Sequence, residues 1–222
     1  KYLLSMLLVM SLLLSINATS SASAEDTFSD VASDAWYAEA VKYVHENGLM
    51  DGTSAKLFSP NDNTSRGMLA AILYRTSGSP VVLDSPHFTD VAADVYYADA
   101  VAWVASSNIM SGYGDGKFGP SDPVSREQIA TILWRYAGSP DVERGQNFSD
   151  ESSIAAYAAT AVDWARANGI VNGMEGNRFY PKGNATRAQV AAIIQNYMTK
   201  TASNGSSDAN SNRVLVAYFS RV

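Results

Sequence analysis

Apolar residues along this chain fall at helical intervals in short stretches, separated by polar, glycine-rich turns. Ala100, Val101, Trp103 and Val104 mark one such stretch, with Asn108 where a helix would end. Ala40, Val41, Tyr43 and Val44 precede Gly48 in the same way, and Ala161, Val162, Trp164 and Ala165 precede Gly169. A second set of stretches carries Leu69, Ile72 and Leu73, then Ile129, Ile132 and Leu133, then Val190, Ile193 and Ile194. Each supplies one apolar helix face. Each also begins at a hydroxyl residue followed by arginine: Ser65-Arg66, Ser125-Arg126 and Thr186-Arg187. Between the two helices of a unit lies a turn-rich loop such as Ser111-Gly112-Tyr113-Gly114-Asp115-Gly116, whose glycines suit positive φ.

The pattern is a repeat. Phe28-Ser29-Asp30-Val31 returns as Phe88-Thr89-Asp90-Val91 and as Phe148-Ser149-Asp150-Glu151, shifted by 60 residues each time. Phe58-Ser59-Pro60, Phe118-Gly119-Pro120 and Phe179-Tyr180-Pro181 return with shifts of 60 and 61, so the third copy carries one extra residue between Asp150 and Ala161. The copies occupy residues 25–79, 84–140 and 144–199. A unit of this size with two short helices cannot bury both apolar faces alone. The expected fold is therefore all-α: three tandem helix-loop-helix repeats packed as one pseudo-threefold helical bundle.

The ends differ from this body. Lys1, an apolar run from Tyr2 to Ile16 and Ala22-Ser23-Ala24 read as a signal peptide over residues 1–24, with cleavage before Glu25. This run of 15 residues falls short of the roughly 20 that span a bilayer, so export without stable membrane insertion is expected. After the third copy, residues 200–212 are rich in Ser, Asn and Thr and read as a linker. Arg213-Val214-Leu215-Val216-Ala217-Tyr218-Phe219 then reads as the strand opening a further domain.

Composition narrows the functional classes. A formal charge of −6 argues against a broad basic nucleic-acid surface, so an anionic partner must be held by a few placed cations. The chain has no cysteine, which removes disulfides and thiolate chemistry. His45 and His87 have no counterparts in the other copies, and no catalytic motif or calcium-loop spacing stands in residues 25–199. The expectation is a binding protein without catalysis, cofactor or metal.

The candidate chemistry lies at the second helix. Ser125-Arg126-Glu127-Gln128 and Thr186-Arg187-Ala188-Gln189 match the capping box; Ser65-Arg66-Gly67-Met68 keeps only its hydroxyl half. The box does not explain Arg66, Arg126 and Arg187, because a cation in the first turn is mildly disfavoured by the helix dipole. Two explanations stand side by side. An anion in front of each helix could be gripped by the free N–H groups and the guanidinium together. Alternatively, each arginine pairs with Asp30, Asp90 or Asp150 at the start of a copy. Trp36, Tyr43, Trp103, Trp134 and Trp164 lie at helical spacing, where aromatics are more often core; Trp103 and Trp164 are the candidates for a sugar contact.

The Phe-x-Asp-Val opening, the loop from Gly112 to Pro120 and the hydroxyl-Arg helix start resemble the S-layer homology triplet of bacterial surface proteins. That resemblance implies a three-pronged helical bundle at the cell surface that binds a secondary cell-wall polysaccharide, often bearing ketal-linked pyruvate. By position it carries over Arg66, Arg126, Arg187, Asp30, Asp90 and Asp150 as binding residues. Gly67-Met68 in copy one and Glu151 in copy three depart from the pattern, which makes Arg126 the best-supported position. The strand from Arg213 to Val222 is similar to the opening of flavodoxin-like domains; flavin mononucleotide is implied only where such a domain is complete.

Overall fold

The computed structural model describes residues 27–82, 86–143, 145 and 148–205. The expected signal peptide and the strand from Arg213 lie outside the described residues. Among the described residues six α-helices follow in order: α1 Ala38–Glu46, α2 Arg66–Thr76, α3 Ala98–Ser106, α4 Arg126–Tyr136, α5 Ala159–Ala167 and α6 Arg187–Gly205. Two helices per copy is the predicted number. α6 continues to Gly205, into the stretch read as linker, since no proline or glycine stops it earlier.

Local chemistry sets the helix boundaries. Ser65 and Ser125 cap α2 and α4 by accepting from the backbone N–H groups of Met68 and Gln128. Both halves of the box are present at Ser125 and Gln128, and again at Thr186 and Gln189. At the other ends, Gly48, Asn108 and Gly169 stand at φ 66°, 57° and 64°, the left-handed turn that stops α1, α3 and α5. The extra residue of copy three is taken up in two short 3₁₀ turns, Glu151–Ser153 and Ala156–Ala158.

The helices pair between copies. α2 packs on α3, α4 on α5, and α6 returns to α1, so the second helix of each copy lies against the first helix of the next. Leu69, Leu73, Ile129, Leu133, Val190 and Ile194 are fully buried in these contacts, and Phe58, Phe118 and Phe179 are buried from the loops. Burying a side chain of this kind contributes about 1.5–3 kcal/mol, so a lone copy forgoes most of its apolar stabilisation.

The circle closes on the pseudo-threefold axis. Thr64, Val124 and Ala185 hold equivalent positions, and all three are fully buried. Thr64 N–H donates to the Ala185 carbonyl (2.9 Å), Ala185 N–H to Val124 (2.9 Å) and Val124 N–H to Thr64 (3.0 Å). Three backbone hydrogen bonds thus form a ring through all three copies. Among the described residues, no helix is long and apolar enough to cross a membrane.

Candidate functional site

Each site starts from the aspartate that opens a copy. Asp30 accepts hydrogen bonds from the backbone N–H groups of Phe58 and Ser59 (2.8 and 2.7 Å). Asp90 does the same for Phe118 and Gly119, and Asp150 for Phe179 and Tyr180. Burial opposes the charge, but N–H donation outweighs it and holds the Asp90 and Asp150 carboxyls below the ordinary aspartate value. The aspartates are loop anchors.

The carbonyl of the same phenylalanine then meets an arginine from the preceding copy. Arg66 Nε donates to Phe118 O (2.9 Å), Arg126 Nε to Phe179 O (2.6 Å) and Arg187 Nε to Phe58 O (2.7 Å). Arg66 Nη2 reaches Ser111 O, and Arg187 Nη2 reaches Asp51 O, each at 2.6 Å. Each guanidinium also lies over the phenylalanine ring, 4.5–5.0 Å from its centroid. All three arginines are buried, and desolvation lowers their pKa from the ordinary arginine value.

This geometry revises both readings of the arginine. Among the described residues none of the three forms an ion pair with Asp30, Asp90 or Asp150; aspartate and arginine instead hold opposite sides of one loop residue. The first-turn N–H groups are also taken. Arg66 and Gly67 donate to the Asp122 and Pro120 carbonyls, Arg126 and Glu127 to Gly183 and Pro181, and Arg187 and Ala188 to Asp62 and Pro60. The next copy's loop stands where an anion was expected to meet the helix end. Gly67 does not leave the α2 start loose, because these bonds hold it as they hold α4 and α6. What stays available to a ligand is the part of a guanidinium that lines a cleft.

Arg187 and Arg126 each line a cleft. One, of about 410 Å³, is lined by Asp51 and Thr53 of copy one, by Arg75 and Met68 on α2, by Tyr96 of copy two and by Arg187 of copy three. All three copies build it. Asp51 links its two cations, accepting from Arg187 through its carbonyl and pairing with Arg75 through its carboxylate at 3.1 Å. The other, of about 290 Å³, is lined by Arg126, Met174, Glu175, Tyr180 and Gln189 among others.

The aromatic candidates sort differently from the expectation. Trp164 is buried against Tyr197, and Trp103 is packed on the core between Tyr74 and Tyr136. Their helix faces point to neighbouring helices, and neither ring lines the Arg187 or the Arg126 cleft. Trp36, expected in the core, is 69% exposed, and Tyr96 and Tyr157 at the corresponding positions are 66% and 55% exposed. One surface ring per copy could have been found from the repeat register, because an aromatic recurs there just ahead of the first helix.

A family profile described as the S-layer homology domain matches residues 27–67, 87–130 and 147–191. The chain belongs to the S-layer homology domain family. Each matched S-layer homology segment contains one opening aspartate and one second-helix arginine, and these two bond to loops of different copies. An amylopullulanase of Thermoanaerobacterium thermosulfurigenes is 32% identical over 80% of this chain, which covers 10% of that protein. An endoglucanase of Bacillus sp. (strain KSM-635) is 31% identical over 91% of the chain, covering 23% of the relative. A cellulosome-anchoring protein of Acetivibrio thermocellus is 24% identical over 71% of the chain, covering 37% of the relative. The chain thus spans well under half the length of these relatives.

Proposed function

We propose that this S-layer homology triplet anchors a secreted protein non-covalently to the bacterial cell wall by binding an anionic, pyruvylated secondary polysaccharide. The observation that carries this reading is the Arg187 cleft, where two guanidiniums and an exposed ring from separate copies converge on one concave surface. A sugar carboxylate suits the cations and the pyranose face suits Tyr96. The relative named as a cellulosome-anchoring protein supports an anchoring role. Arg187 and Arg126, which line clefts, are the proposed ligand-contacting cations; Asp30, Asp90 and Asp150 act by fixing the loops, and Trp103 and Trp164 by packing.

The test is sedimentation of the protein with purified walls. Binding to walls that retain their secondary polymer, and its loss once that polymer is extracted, is the expected result. Equal binding to both preparations would refute the reading. A second reading is favoured by the small share of the enzyme and surface-layer relatives that this chain covers: it is the anchor portion of a larger surface enzyme or of a lattice protein. For such an enzyme, the strand read from Arg213 onward suggests a flavodoxin-like domain following residue 212. The reading frame beyond Val222 separates these, since a glycine-rich phosphate loop marks the first and assembly domains mark the second.

A further inference from the structure

The three copies present different residues at one loop position beside the arginine. Thr53, Tyr113 and Met174 are equivalent by the repeat shifts, and the residue six further along is Ser59, Gly119 or Tyr180. At Arg66 the difference has a structural consequence. Its guanidinium is held between two rings, 4.6 Å from the Phe118 centroid and 4.9 Å from that of Tyr113. Tyr113 Oη donates to Asp122 Oδ2 at 2.8 Å, and the Asp122 carbonyl accepts the Arg66 backbone N–H. The ring is latched to the segment that receives the helix.

At the equivalent Arg187, Thr53 is too short to cover the guanidinium. Its hydroxyl instead bonds Ser59 Oγ (2.6 Å), and the space in front of Arg187 is the 410 Å³ cleft. Arg126, beside Met174, also lines a cleft. The guanidiniums of Arg66 and Arg187 make the same pair of bonds to loop carbonyls, so these bonds do not distinguish the two positions; the Tyr113 ring over Arg66 does, as does the Asp51 carboxylate paired with Arg75 at Arg187.

Gly119 gives an independent sign that the ring belongs there. A Cβ at this position would stand 2.5 Å from Tyr113 Cε2. The backbone does not by itself demand glycine, since Ser59 and Tyr180 adopt the same positive φ, 57° and 55° against 70°. What excludes a side chain is the Tyr113 phenol together with the Asp122 carboxylate that it bonds, whose Oδ2 would also stand 2.5 Å from that Cβ.

We infer that Tyr113 is a built-in occupant of the groove at Arg66, so that polymer binds at the Arg187 and Arg126 clefts and not at this one. The inference rests on the wall-polysaccharide reading and assigns its sites. Arg66 is then a joint between copies, and Tyr113 sets how many ligands the triplet takes.

Titration calorimetry with a methyl hexopyranoside carrying a ketal-linked pyruvate tests this, with the same glycoside lacking the ketal as control. Tyr113→Thr should raise the stoichiometry by one site per chain. Gly119→Ser should do the same, since its Cβ meets both the ring and the Asp122 carboxylate that latches it, and Ser59 shows that serine accepts this backbone. The double substitution Thr53→Tyr with Ser59→Gly should lower the stoichiometry by one. Circular dichroism confirms folding of each variant. An unchanged stoichiometry in folded Tyr113→Thr and Gly119→Ser proteins overturns the inference while leaving wall anchoring intact. Absence of binding by the unsubstituted protein sinks both.

Discussion

Arg66→Ala separates a structural arginine from a ligand-binding one without any ligand present. The side chain is 7% exposed and holds two carbonyls of the next copy, Phe118 O and Ser111 O, while lying over two rings. Hydrogen bonds to a charged group contribute about 1.5–3 kcal/mol each, and the ring contacts add about 0.5–1 kcal/mol apiece. Recovery of guanidinium hydration in the unfolded chain offsets part of this. We expect a net loss of about 3 kcal/mol, a large share of the roughly 5–15 kcal/mol that holds a typical protein folded. For a protein of this size that corresponds to a melting temperature lower by about 6–12 °C. Arg66→Lys keeps the charge but not the planar fork or the stacking, and should recover less than half of the loss. Urea unfolding followed by circular dichroism measures both variants. A cost below about 1 kcal/mol for Arg66→Ala, with an unchanged denaturant slope, would refute the joint and return the arginine to a purely ligand-binding role.

Two further outcomes follow from the same contacts. A fragment of residues 84–140 should show no cooperative melting, because α3 loses α2 and α4 loses α5, whereas residues 25–199 should melt in one transition; a sharp independent transition for the single copy would show that the copies are separate domains. Stability should also fall in acid: the Asp90 and Asp150 carboxyls titrate below the unfolded aspartate value of about 3.9, so the unfolded chain takes up protons first as pH drops through that value and then through the folded one. Urea midpoints between about pH 5 and pH 2 should decline less steeply in Asp90→Asn, and a slope equal to that of the parent protein would contradict the loop-anchor role.

Whatever depends on residues a few positions apart was legible in the chain alone. Helix existence follows from apolar spacing, helix starts from the hydroxyl caps with their partners three residues on, and helix ends from residues that accept positive φ. The 60-residue register also placed the aspartates and arginines in equivalent positions before any geometry was known. What it left undecided was which surfaces meet. A helical spacing says that one face is buried but not against which partner, so Trp103 and Trp164 could be read as contacts although their partners are core aromatics, while Trp36 could be read as core although it faces solvent. The arginines were undecided for the same reason. Arg187 bonds to Phe58 across 129 positions of chain, and only closure of the ring at Thr64, Val124 and Ala185 brings the last copy back to the first. Packing between copies put a loop carbonyl in the place before each helix, because a hydrogen bond is satisfied by whatever group the fold delivers within reach, and local sequence cannot specify the group that comes from another copy.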